Sequence, residues 1–279
     1  MIFLFFMVPY EIRSGSMEIV DRSKNIFKEG VEVYSEDLKI KAQEAFQTDT
    51  SIVLKREVYV ESKNFSLSAD YLNYKIPYKV LFGSGNIKIW KDDTLRGDSL
   101  IFYREKEQGE VIGNLIYTGD SAEIKGQSAY FFEDSIIVSG KPKFKSHEIE
   151  VESDYTIYTL KDSTYKFLSD VHFESSKISG SSGKLIYDSR NEISVFFEKP
   201  LIMDEKDSIK GEEIVIYHKK KVLKALNGQV ITYSETGRNI VWGDTVLVYY
   251  NEEKLDSVSV KGKSRGTFIK NETEGRKSG

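Results

Sequence analysis

Residues 93–103 read DTLRGDSLIFY: an apolar residue, a spacer, a small residue, an acid, then an apolar run closed by tyrosine. That order returns along the chain. LKIKAQEAF (38–46), FSLSADYLNY (65–74), AEIKGQSAYFF (122–132), SKISGSSGKLIY (176–187), DSIKGEEIVIY (207–217) and NIVWGDTVLVYY (239–250) repeat it, and IEVESDYTIY (149–158) is a degenerate copy. With the small residue as anchor, Ala42, Ala69, Gly97, Gly126, Ser153, Gly180, Gly211 and Gly243 stand 27, 28, 29, 27, 27, 31 and 32 residues apart. A nearly fixed period of this size marks a repeat architecture.

Ahead of each anchor lies a second element, a turn dipeptide followed by an alternating strand. The copies are EGVEVY (29–34), REVYVE (56–61), SGNIKIW (84–90), IGNLIYT (112–118), SGKPKFK (139–145), SDVHFES (169–175), EKPLIMD (198–204) and NGQVITY (227–233), and LDSVSVKG (255–262) closes the series. From the residue after the dipeptide to the next anchor is 11 residues for Val31 to Ala42, Val58 to Ala69 and Leu115 to Gly126. A pair of strands is therefore the unit. Such a unit cannot bury a face alone and must stack on its neighbours.

The period-2 alternation and short connections predict an all-β chain of antiparallel strands. No window carries a sustained helical period, and the connections leave no room for crossover helices. Parity places Leu95 with Gly97, Ile124 with Gly126, Ile209 with Gly211 and Leu67 with Ala69 on one face. The charged residues between them, Arg96, Lys125 and Lys210, take the other. Leu100 and Phe102, or Ile214 and Ile216, lie at odd offset from the glycine and reach the same face only through a bulge. One is expected at or after Gly97, Gly211 and Gly243. The small anchor would permit close backbone approach where two sheets meet.

The boundaries read as a signal-like or lead-in segment over 1–25, a repeat domain over 26–262 and a flexible tail over 263–279. The apolar start MIFLFFMV, followed by Pro9, has the character of an export signal, with Ser14, Gly15 and Ser16 near a cleavage position. No base precedes it, so the signal is weak or truncated, and eight residues are too few to span a bilayer.

Composition excludes several functions. The net charge of -4 comes from 44 acids and 40 bases spread along the chain, with no basic stripe to hold nucleic acid. Cysteine is absent, which removes disulfides and thiolate metal sites. His147, His172 and His218 fall in different repeats without ligand spacing, and Asp204, Glu205 and Asp207 lack a calcium-loop pattern. The Gly-Asp pairs at 97 and 98 and at 243 and 244 recur with the repeat, which assigns the acid to a turn rather than to catalysis. HKKK at 218–221 reads as a solvated turn. No metal, cofactor or active site is expected, and the long two-faced apolar surface is a binding feature.

The pairing of GNIKIW with TLRGDSLIFY, and of NGQVITY with NIVWGDTVLVYY, resembles the OstA/LptA-like periplasmic lipopolysaccharide-transport family over about 26–262. The resemblance implies a jelly-roll-like "β-taco" of two facing antiparallel sheets with open ends, and an apolar trough for lipid A acyl chains. The trough lining it implies is Ile40, Leu67, Leu95, Ile124, Ile178, Ile209 and Val241 from the anchor strands, with Ile87, Leu115, Phe144, Val171, Leu201 and Val230 from the others. Its partners would be lipopolysaccharide or a similar amphiphile, an inner-membrane export complex, an outer-membrane translocon, and further copies end to end. The competing expectation is a structural or adhesive cell-surface β-solenoid with a packed interior.

Overall fold

The computed structural model describes residues 11–270 apart from 22, 23, 36, 37, 63, 64, 107, 120, 133, 176, 177, 205 and 251–254. The apolar run 2–8 and residues 271–279 of the expected tail lie outside the described residues. Contacts divide the chain into two units, one ending at Phe144 and one beginning at Lys145.

The first unit holds β1 (Glu11–Arg13), β2 (Ser16–Asp21), β3 (Lys24–Ser35), β4 (Leu38–Thr48), β5 (Ser51–Ser62), β6 (Ser66–Lys75), β7 (Val80–Trp90), β8 (Thr94–Tyr103), β9 (Gln108–Thr118), β10 (Ala122–Phe132) and β11 (Ser135–Ser139), with β12 (Lys143–Ser146) at the boundary. From β3 to β11 each strand pairs antiparallel with the next, and β1 and β2 both pair with β3.

The second unit holds β13 (Glu150–Glu152), β14 (Tyr155–Thr159), β15 (Thr164–Glu174), β16 (Ser179–Asp188), β17 (Ile193–Phe197), β18 (Leu201–Asp204), β19 (Asp207–Lys210), β20 (Glu213–Tyr217), β21 (Val222–Ser234), β22 (Gly237–Tyr250), β23 (Leu255–Lys261) and β24 (Arg265–Lys270). It too is antiparallel throughout, and the fold is all-β as the repeat requires. The helical pieces among the described residues are single 3₁₀ turns at Arg104–Lys106 and His218–Lys220.

What shapes each unit is the turn dipeptide. Glu29 with Gly30, Arg56 with Glu57, Gly85 with Asn86, Gly113 with Asn114, Gly140 with Lys141, Ser169 with Asp170 and Glu198 with Lys199 all have positive φ, between 43° and 82°. Two consecutive left-handed residues bend a strand sharply; the strand runs on through five of these pairs and breaks at Gly140 with Lys141 and at Glu198 with Lys199. The ladder registers this as a two-against-one bulge: Ser84 pairs with Ser99 and Ile87 with Gly97, leaving Gly85 and Asn86 opposite Asp98. A non-glycine residue in this conformation costs roughly 1–2 kcal/mol, so glycine fills one of the two places in four of the seven pairs.

Each long strand, or consecutive pair of short ones, is thus two halves meeting at a corner, and the halves fold toward each other. A Cβ built on Gly97, beyond the corner of β8, would lie 2.4 Å from Cγ1 of Val111, which precedes the corner of β9. In the second unit Phe173 and Phe196, on opposite sides of their corners, have ring centroids 4.6 Å apart. The small anchor is what admits this approach. Directly across the hairpin it meets the residue after the dipeptide: Val31 pairs with Ala42, Val58 with Ala69, Ile87 with Gly97 and Leu115 with Gly126.

The structure departs from the sequence expectations in four places. At Gly97 the register shifts as expected, but the extra residue belongs to the neighbouring strand. At Gly211 the strand is interrupted, β19 ending at Lys210 and β20 starting at Glu213. At Gly243 pairing with β21 continues without a shift, and Gly228 lies directly opposite. Finally, residues expected as lead-in and tail form β2 and β24, which pair through backbone with β3 and β22. Both are edge strands with exposed side chains, so burial imposes no alternation on their sequences.

Candidate functional site

The interior between the half-sheets is lined by rows of side chains that follow from register. In the first unit one row beyond the corners runs Val33, Ile40, Val60, Leu67, Ile89, Leu95, Tyr117 and Ile124 across β3 to β10. Ile40, Leu67, Leu95 and Ile124 are thereby brought into one line, exposed by only 2, 1, 7 and 0%. Ile87 and Leu115, each 1% exposed, belong to the row nearer the corner, where large residues alternate with the small anchors. Phe144 is buried.

The opposite wall was legible only conditionally. It is the row Phe27, Ala45, Leu54, Leu72, Gly83, Leu100, Val111, Ala129 and Val138, which precedes the corners on successive strands. Its parity is odd relative to the anchors, and only the bend turns it inward. The clue in the sequence is the regularly spaced dipeptide, once it is understood as a corner rather than the end of a strand.

In the second unit Phe173, Gly180, Ile202, Ile209, Val230 and Val241 form the equivalent row. Val171, Ile209 and Val230 are buried, while Ile178 and Val241 are half-buried. Leu201 sits on the other face, and Ile202 takes the inward place at 1% exposure. The reason is a one-residue offset: Glu198 and Lys199 make the corner and Pro200 is itself buried, so inward parity continues at Ile202.

The two interiors differ chemically. Among the described residues the buried polar side chains are Ser153, Thr156, Ser182 and Ser194, all in the second unit. Ser153 Oγ donates to the Tyr155 carbonyl at 2.9 Å, and Ser182 Oγ to that of Lys184 at 3.1 Å. Ser194 Oγ lies 2.8 Å from His218 Nε2. Burial holds the His218 imidazole below its ordinary pKa against the opposing pull of Glu148 and Glu192. The Tyr250 phenol is pushed up to about 12, by burial first and the Glu148 charge second. The first unit's interior is hydrocarbon and aromatic surface, with charges kept outside: Glu123 and Lys125, flanking Ile124, pair with each other at 2.9 Å. Burying either would be costly.

Acids at the anchors serve the corners. Asp98 and Asp70 accept from Asn114 and Asn86, and Glu212 from Asn227, each at 2.8 Å. Asp244 accepts the Lys263 backbone N–H at 3.1 Å. Among the described residues no three His, Cys, Asp or Glu side chains converge to hold a metal.

No curated protein matches the chain. LptH from Pseudomonas aeruginosa, the LptA homologous periplasmic component of the conserved lipopolysaccharide transport device, is a similar solved structure at 10% identity and a TM-score of 0.37, covering 38% of this chain and 82% of that one. The family model described as LptA/(LptD N-terminal domain) LPS transport protein matches residues 59–222, more than half of the sequence. The chain belongs to that LPS transport family.

Proposed function

We propose that the chain is a non-enzymatic periplasmic carrier that holds the acyl chains of lipopolysaccharide, or of a similar amphiphile, between its facing half-sheets. The observation that carries this reading is the charge-free row of Ile40, Leu67, Leu95 and Ile124, continuous across the first unit and backed by the row from Phe27 to Val138. Family membership supports it. The half-sheets touch, so an acyl chain is admitted by their parting along the side away from the corners. With no cysteine in the chain, no disulfide pins them together. The carrier would receive lipid from an inner-membrane export complex and pass it to an outer-membrane translocon. Further copies would add end to end through strand edges, where unpaired backbone groups recruit other strands.

A second reading, a structural or adhesive β-solenoid, is favoured by the near-zero exposure of Val111, Ile124, Ala129 and Val138. Native mass spectrometry of protein purified from its own cell envelope separates the two. A co-purifying amphiphile supports the carrier; apo protein alone, from an envelope rich in that lipid, overturns it in favour of the solenoid.

A further inference from the structure

The outer surface of the first unit carries a second feature. Beyond the corners of β5 to β8, register sets Tyr59 opposite Ser68, Ser68 opposite Lys88 and Lys88 opposite Arg96. All four have the parity that turns away from the interior. Like charges directly opposed across two strands repel, yet neither Lys88 nor Arg96 forms an ion pair among the described residues. Other bases on this face are answered: Lys41 by Glu32 at 3.4 Å and Lys125 by Glu123 at 2.9 Å. The acid two residues beyond Arg96, Asp98, is engaged by Asn114.

Beside the two cations stands an aromatic platform. The Lys88 ammonium lies 4.6 Å from the centroid of the Trp90 ring, and that ring is 5.9 Å from the ring of Tyr59. Both rings are half-exposed. Opposed cations are relieved by an anion that both can hold, and the guanidinium fork of Arg96 matches the oxygens of a phosphate. Half-exposed indole and phenol rings offer the apolar face on which a sugar ring lies.

We propose that Lys88, Arg96, Trp90 and Tyr59 form a binding site for a phosphorylated sugar on the outside of the first unit. The site deepens the carrier reading and rests on it for the natural source of that group, the headgroup of the carried amphiphile. Recognition itself needs only the sugar phosphate.

The test uses the full chain carrying Trp242→Phe, which leaves Trp90 as the sole indole. Glucosamine 1-phosphate is titrated against its fluorescence and by calorimetry, with glucosamine and inorganic phosphate as comparisons. The expected result is saturable binding at least about tenfold tighter than either comparison. Lys88→Gln and Arg96→Gln each weaken it about tenfold, the scale of one charge-assisted hydrogen bond. Trp90→Ala reduces the preference over inorganic phosphate, and Lys125→Gln changes nothing. Circular dichroism of each variant confirms that the fold is kept. Absence of saturable binding, equal binding of inorganic phosphate, or indifference to both cation substitutions would overturn the proposal. Because the ligand is soluble and the site lies outside, failure here leaves the interior carrier reading to its own test.

Discussion

Asp98 accepts a hydrogen bond from Asn114 Nδ2 at 2.8 Å, and sixteen residues separate them, the same distance and separation that join Asp70 to Asn86. The acid comes from the anchor strand and the amide from the corner of the next. One repeat therefore fixes the bend of the following one. Asp98→Ala is expected to destabilise the fold by about 1 kcal/mol, the net worth of one such bond. In a double-mutant cycle with Asn114→Ala the two losses should not add, because each removes the same bond. Strict additivity in urea unfolding would mean that the bond contributes nothing.

Gly113 belongs to the same corner, with φ of 82°, and an added Cβ would stand 2.4 Å from Asp98 Oδ2. Left-handed strain alone costs roughly 1–2 kcal/mol for alanine, and displacement of the Asp98 carboxylate adds to it. Gly113→Ala should therefore lower the unfolding free energy by more than Asp98→Ala does. Equal or smaller loss would argue that the corner relaxes.

Close approach of the half-sheets is tested at Gly97. A methyl there meets Val111 Cγ1 at 2.4 Å and the Gly113 carbonyl at 3.0 Å. Overpacking of this kind costs roughly 1–3 kcal/mol. Val111→Ala opens the space the methyl needs, so the double variant should be more stable than additivity of the single changes predicts. Independent effects would place Gly97 and Val111 in separate environments.

Stability should also depend on pH through His218. Its folded pKa is depressed by burial, so the folded state prefers the neutral ring and the unfolded chain binds the proton more readily. Above an unfolded pKa of about 6.5 both states are neutral and nothing is lost. As pH falls below that value the unfolded state gains protons first, and stability declines until the folded pKa is reached. Between pH 7 and 5 the wild-type chain should lose more stability than His218→Gln, measured by urea unfolding across the range. Parallel curves would remove His218 from the account.

How much of this was legible in the sequence depended on which constraint a residue answers to. Gly97, Gly126 and their counterparts announced themselves because a small side chain recurs wherever Val111 or Val138 of the facing half comes close. Ile40, Leu67, Leu95 and Ile124 were legible through parity with those anchors. The row from Phe27 to Val138 was harder to place. A bend made by two left-handed residues reverses the inward parity, and Arg56 with Glu57 makes the same bend as Gly113 with Asn114 without any glycine. Leu201 was misplaced for a similar reason, since alternation counted without the buried Pro200 lands one residue short of Ile202. Edge strands β2 and β24 were unreadable as strands because Met17, Ile19, Phe268 and Ile269 are exposed rather than buried, so nothing enforces a pattern.

The central claim is that acyl chains lie between the half-sheets, and photo-crosslinking by position tests it most directly. A photoreactive residue is placed at Ile124 and at its neighbour Glu123, with the equivalent pairs Leu95 and Arg96, and Ile209 and Lys210. The first of each pair is buried inside its unit and the second faces outward. The protein is irradiated in cells whose envelope contains the lipid, and adducts are read by mass spectrometry. Acyl adducts are expected at 124, 95 and 209; at 123 and 210 no adduct is expected, and at 96 none through an acyl chain. Acyl adducts on both faces, or on neither, would contradict it.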